Sequence, residues 1–154
     1  TLSFLNLIIK NNAAGEIGGG LCLVASAISN STIDNNRAYK MGGGVFAVDG
    51  TQAMDTVSIS GNSAPIGAAI YLEDTDLSVT SCTIESNIDS ETTGGAVVID
   101  DYSTLESILS NWGTGSQDNS PADVNFYSGD ASTAYATYGA SESFECDGLN
   151  QTCL

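Results

Sequence analysis

The chain has 154 residues, enough for one domain with a continuous apolar core at 42% hydrophobic content. Its formal charge of −16, from 19 acids against three bases, gives no electrostatic basis for binding a phosphate backbone and excludes nucleic acid as a partner. No apolar run approaches the roughly 20 residues of a membrane-spanning helix, and Gly, Ser, Thr, Asn and Asp interspersed with small branched apolar residues favour strands and turns.

In chain order, the first element is an apolar strand containing Leu2, Phe4 and Leu5, followed by Leu7, Ile8 and Ile9. No cap precedes it, so an open hydrophobic edge is expected, covered by a further part of a longer protein or by a second copy stacked head to tail. Leu2, Phe4 and Leu5 are therefore candidate interface residues. Residues 1–40 carry all three bases, Lys10, Arg37 and Lys40, against two acids, whereas residues 41–154 carry seventeen acids and no base. A near-neutral first coil meeting an acidic partner is consistent with end-to-end stacking.

A repeat begins at Ile9-x-x-Asn12 and recurs at Ile33/Asn36, Ile59/Asn62, Ile84/Asn87 and Ile108/Asn111, with spacings of 24, 26, 25 and 24 residues. In step with it run Gly18-Gly19-Gly20-Leu21, Gly42-Gly43-Gly44-Val45, Gly67-Ala68-Ala69-Ile70 and Gly94-Gly95-Ala96-Val97. The segments after the glycines alternate with a period of two, so each repeat is built of strands and turns. Leu21/Leu23, Val45/Ala47, Ile70/Leu72 and Val97/Ile99 are expected inward on one sheet and the repeat isoleucines inward on another. A single coil cannot bury its apolar face and must stack on neighbours at about 4.8 Å. The expected fold is therefore all-β, a right-handed parallel β-helix of five coils over residues 1–112. Asn12, Asn36, Asn62, Asn87 and Asn111 are expected to form an inward amide ladder. The glycines read as corner residues, because no Lys-Ser/Thr follows them as a phosphate loop requires.

Three outward columns follow. Cys22, Phe46, Tyr71 and Val98 alternate with inward residues, and such an apolar row suggests a covered surface. The candidates for covering it are a partner or the tail aromatics Phe126, Tyr127, Tyr135, Tyr138 and Phe144. Cys82 aligns with inward Leu7 and Val57, so Cys22 and Cys82 are expected to remain unbridged. Thr32, Ser58, Thr83 and Ser107 form a short-hydroxyl column that reads as solvated strand or glycan-bearing surface. Its sharper reading is its resemblance to the Thr-x-Thr faces of ice-binding β-helices. Asp49, Glu73-Asp74-Asp76 and Asp100-Asp101 recur at turns, where hydration is the plain expectation. Glu73, Asp74, Asp100 and Asp101 are weak calcium candidates, the only cofactor considered. The chain has no His and a single Arg, a thin inventory for cleaving an anionic polysaccharide, so no catalytic residue is assigned.

After Asn111 the pattern stops. Trp112 suits a cap, and residues 113–154 read as an acidic Ser/Asp/Gly-rich C-terminal tail or cap. Cys146 and Cys153 bracket a turn-like Asp147-Gly148-Leu149-Asn150 and are expected to close a small disulfide loop, which points to an oxidising compartment.

The Gly-Gly-Ala-Val run at residues 94–97, its looser copies and the hydrophobic-x-x-Asn steps resemble the polymorphic outer-membrane-protein repeats of bacterial surface proteins, with Ile in place of that family's usual Phe. The resemblance covers roughly residues 5–112. It implies a secreted or surface-displayed β-helix of the kind associated with adhesion, with a host or surface glycan as a partner. The expectation is a non-enzymatic structural or adhesion protein, secreted or at the cell surface, assembling end to end as a homo-oligomer or fibre. A polysaccharide-cleaving enzyme and an ice- or glycan-binding module are the alternatives.

Overall fold

A computed structural model describes residues 2–90, 95–100 and 102–127, and the backbone of three short strands beyond them. The expected all-β parallel β-helix of about five turns is the fold the chain adopts. The first coil supplies β1 (Leu2–Leu5), β2 (Ile8–Lys10) and β3 (Ala13–Ala14). The second supplies β4 (Leu21–Val24), β5 (Ser26–Ser29), β6 (Thr32–Asp34) and β7 (Arg37–Ala38). The third holds β8 (Val45–Asp55), β9 (Ser58–Ser60) and β10 (Ser63–Ala64), and the fourth β11 (Ile70–Thr80), β12 (Thr83–Glu85) and β13 (Ile88–Asp89). The fifth contributes β14 (Val97–Ile99) and β15 (Thr104–Ile108).

Every pairing between these strands is parallel, and each joins residues one coil apart. β8 and β11 run around a corner without a break and so merge two faces into one large sheet. Two four-stranded sheets close the cross-section. The turns between faces are made by left-handed residues, one at each of four corners. In the second coil these are Gly18, Ala25, Asn30 and Asn35, and in the fourth Gly67, Asp74, Ser81 and Ser86. Asn, Asp and Gly adopt this conformation at least cost, which accounts for much of the composition.

The core follows the two-residue period. Leu23, Ile28, Ile33, Val45, Ile59, Ile70, Ile84, Val97 and Leu105 belong to one buried cluster that runs through the stack. Beside it runs the amide ladder: Asn12 Nδ2 donates to Asn36 Oδ1 at 3.0 Å, Asn36 to Asn62 at 3.1 Å, and Asn62 to Asn87 at 3.0 Å. Each acceptor oxygen also takes the backbone N–H of the preceding Asn. Each buried amide is thereby satisfied on both sides, as a low-dielectric interior demands.

The fifth coil corrects the expected register. β15 aligns Ile108 with Thr80, and Ile84 N donates to Asn111 O, which puts Trp112 in the column of the repeat isoleucines. Trp112 is fully buried in the core, so it is neither a cap nor an interface residue. Asn111 is exposed and lies outside the ladder; Asn119 takes the place expected of it, accepting from Asn87 Nδ2 at 3.1 Å. Asn119 in turn donates to Asp123 Oδ1 at 2.7 Å. The extra residues between Trp112 and Asn119 are taken up by a turn that includes a 3-10 segment, Gly115–Gln117.

Among the described tail residues, Phe126 of the expected covering aromatics turns into the core, while Tyr127 reaches the outer face of the glycine-following strands at Tyr71. β16 (Val124–Phe126) pairs in parallel with β14 and carries Val124 and Phe126 into the main core. β17 (Tyr135–Thr137), β18 (Cys146–Asp147) and β19 (Thr152–Cys153) continue the stack in the same sense. Tyr138 and Phe144 lie outside the described residues, as do the side chains of Cys146 and Cys153 and hence their expected pairing.

Candidate functional site

The edge of the first coil exposes residues that every later coil buries. β1 pairs with β5 on one side and with no described strand on the other. Leu2 occupies the same column as Ser26, yet it is 67% exposed against 3%. Phe4 shares a column with Ile28 and is 37% exposed against 1%. Leu5 is exposed beside them on the opposite face. The edge is thus a strand with free backbone donors and acceptors next to inward-pointing apolar side chains, the arrangement to which another strand adds.

The three bases lie in this first part of the rod. Lys40 Nζ contacts Glu16 Oε1 at 2.7 Å in the one ion pair among the described residues. The donated hydrogen bond from Lys40 holds the Glu16 carboxyl below its ordinary value. Arg37 lies over the ring of Tyr39, with the guanidinium carbon 4.7 Å from the centroid.

The Phe46, Tyr71 and Val98 column is a covered surface, as expected, but it is buried within the chain and so these three are not free interface residues; of the two expected covers, the tail contributes Tyr127. Met41, Val48 and Ile66 pack over the same column and form a second, outer cluster. Met41 and Ile66 each precede a left-handed glycine, Gly42 and Gly67, where a Cβ would run into the backbone oxygens of Val45 and Ile70. Phe46 and Tyr71 stack at 5.5 Å, and Tyr127 meets Tyr71 edge-on at 6.1 Å. The Tyr71 hydroxyl donates to Asp100 Oδ2 at 2.6 Å. Burial, followed by that bond to a carboxylate, pushes the Tyr71 phenol well above its ordinary value. Cys22, at the uncovered end of this column, is exposed and Cys82 is buried in another column; both thiols are free and burial raises each.

The acidic turns have a backbone explanation. Asp49 and Asp74 are left-handed corner residues, and Glu73 is paired in register with Val48. Asp100 is engaged by Tyr71, and Thr104 Oγ1 donates to Asp76 Oδ1. Among the described residues no group of three acids or cysteines converges as a metal site requires. Asp101 lies outside them.

The hydroxyl column is present at Thr32, Ser58 and Thr83, which pair directly across β6, β9 and β12. Its fourth member, expected to be Ser107, is Asn111, since Ser107 is buried and accepts from Trp112 Nε1 at 3.0 Å.

Sequence reasoning missed Asn119 and Tyr39. The signal for Asn119 was Trp112 itself, a large apolar residue followed by glycines that admit an inserted turn. Tyr39 carried no motif, because its role comes from stacking on Arg37.

The fold defines a short parallel β-solenoid whose first coil, among the described residues, has an unpaired apolar edge. Compared with protein-family models, curated proteins and solved structures, the chain finds no match. No helix among the described residues is long and apolar enough to cross a membrane.

Proposed function

We propose that this chain is a non-catalytic structural rod of a secreted or cell-surface protein, joined to a second copy of itself through the open edge of the first coil. The supporting observation is the exposure of Leu2 and Phe4, in columns whose next members are buried. A second β-solenoid end is the complementary partner, because it presents both the strand spacing and the apolar columns that this edge lacks. Charge favours head-to-tail joining: all three bases lie within residues 1–40, and seventeen of the 19 acids lie beyond them. The resemblance to surface-protein repeats supports an extracellular setting, with adhesion as the task of the assembled rod.

Sedimentation velocity of the full chain over rising concentration tests this reading. The expected result is concentration-dependent growth beyond the 15.8 kDa monomer, abolished by combining Leu2→Lys with Phe4→Lys. A strictly monomeric chain at every concentration would remove the proposal.

A further inference from the structure

A groove of about 180 Å³ opens on the outside of the four-stranded sheet that contains β7 and β10, away from β1. Its register is simple: Arg37 pairs with Ser63, and two residues further along each strand stand Tyr39 and Pro65, with Ser90 following in the next coil. Ala38 and Ala64, both buried, lie between these residues and line the floor.

Arg37 gives the groove its chemistry. In a chain with 19 acids, its guanidinium has no carboxylate partner among the described residues. It lies instead over the Tyr39 ring, the guanidinium carbon 4.7 Å from the centroid. That cation–π contact uses none of the N–H donors and restrains the side chain, so less rotamer freedom is lost when an anion binds. That fork accepts a carboxylate, sulfate or phosphate in bidentate fashion. The net charge of −16 discriminates among these, because each additional negative charge on a ligand adds repulsion. A monoanion is favoured, and among monoanions the planar carboxylate matches the guanidinium fork in shape.

The surroundings set the rest of the ligand. Tyr39, Pro65 and Ala64 provide an apolar wall suited to the C–H face of a sugar ring, and Ser63 and Ser90 provide hydroxyls for its polar edge. The volume is below that of sites for drug-sized ligands, roughly 300–1,000 Å³, and fits one ring. We propose that this groove binds a uronate, a single carboxylate-bearing sugar ring, either free or at the end of a glycan. The site is independent of the end-to-end joining above, since none of its residues lies in β1.

The test is an NMR titration of the full chain with glucuronate, with glucose and acetate as controls. Glucuronate is expected to saturate with Kd on the order of millimolar, with glucose and acetate at least about tenfold weaker. Arg37→Gln is expected to weaken glucuronate binding by at least about tenfold and Arg37→Lys by less, both with unchanged thermal unfolding. A uronate-terminated disaccharide that binds as well as free glucuronate places the source in glycans; binding of the free sugar alone places it among small molecules. No saturation by either, equal binding of acetate, or unaltered binding in Arg37→Gln would overturn the proposal.

Discussion

Asn119 Oδ1 accepts hydrogen bonds from both the side-chain Nδ2 and the backbone N–H of Asn87, each at 3.1 Å, and so closes the amide ladder that begins at Asn12. The side chain of Asn111, which completes the sequence motif, accepts only a local bond from Gly113 N at 3.2 Å among the described residues. Asn119→Ala leaves the buried backbone N–H of Asn87 without its acceptor, while Asn87 Nδ2 keeps Ile59 O and Glu85 O; it is expected to cost about 2 kcal/mol, whereas Asn111→Ala costs less than about 1 kcal/mol. Urea unfolding of the two variants checks the ranking. Equal losses would place the ladder's end elsewhere.

The glycine runs make a second contrast. A Cβ at Gly43 would meet Ala68 O at 2.3 Å and Ser63 O at 2.5 Å, both backbone atoms, while one at Gly15 meets nothing within 4 Å. Gly43→Ala must therefore push neighbouring coils apart, at about 1–3 kcal/mol. At this chain length each kcal/mol lowers Tm by roughly 2–4 °C. Thermal unfolding should show that drop for Gly43→Ala and almost none for Gly15→Ala.

Tyr71 predicts an alkaline limb. Its folded phenol is raised above the ordinary value of 10.0, so the folded chain holds the proton more tightly than the unfolded chain. The corresponding stability is complete below about pH 10 and is lost as pH rises above it. Tyr71→Phe removes the bond to Asp100 and should be less stable at neutral pH by about 1–2 kcal/mol. The gap should narrow from about pH 10 upward. Denaturant unfolding across pH 7–12 is the measurement; a gap constant with pH would contradict the assigned burial.

Much of the fold was legible because a solenoid repeats its decisions. The isoleucine, asparagine and glycine columns each recur often enough to reveal period, strand content and inward face. The fifth coil was misread because Ile108-Leu109-Ser110-Asn111 reproduces the motif by chance at the expected spacing, while Trp112, four residues after Ile108, enters the core instead. A longer connection before β15 causes the slip: Asp76 pairs with Thr104, 28 residues on, instead of about 25. The outer cluster was half legible. The alternation exposed Phe46 and Tyr71 as an outward apolar row, but their cover, Met41 and Ile66, stands with Ile17 in a single-residue column just before each glycine run, outside any alternating strand that would flag it. The acidic turns misled for a related reason, since Asp49 and Asp74 are chosen as left-handed corners and their charge is incidental to that role. At the edge, exposure depends on which strand lies alongside, and that is a property of the stack rather than of Leu2 or Phe4.

Hydrogen exchange of the β1 amides as a function of protein concentration tests the joining of rod ends most directly. Residues 2–5 are predicted to become protected as concentration rises, with no change in the core strands β9 and β12. Exchange in β1 that stays fast and independent of concentration would contradict the account.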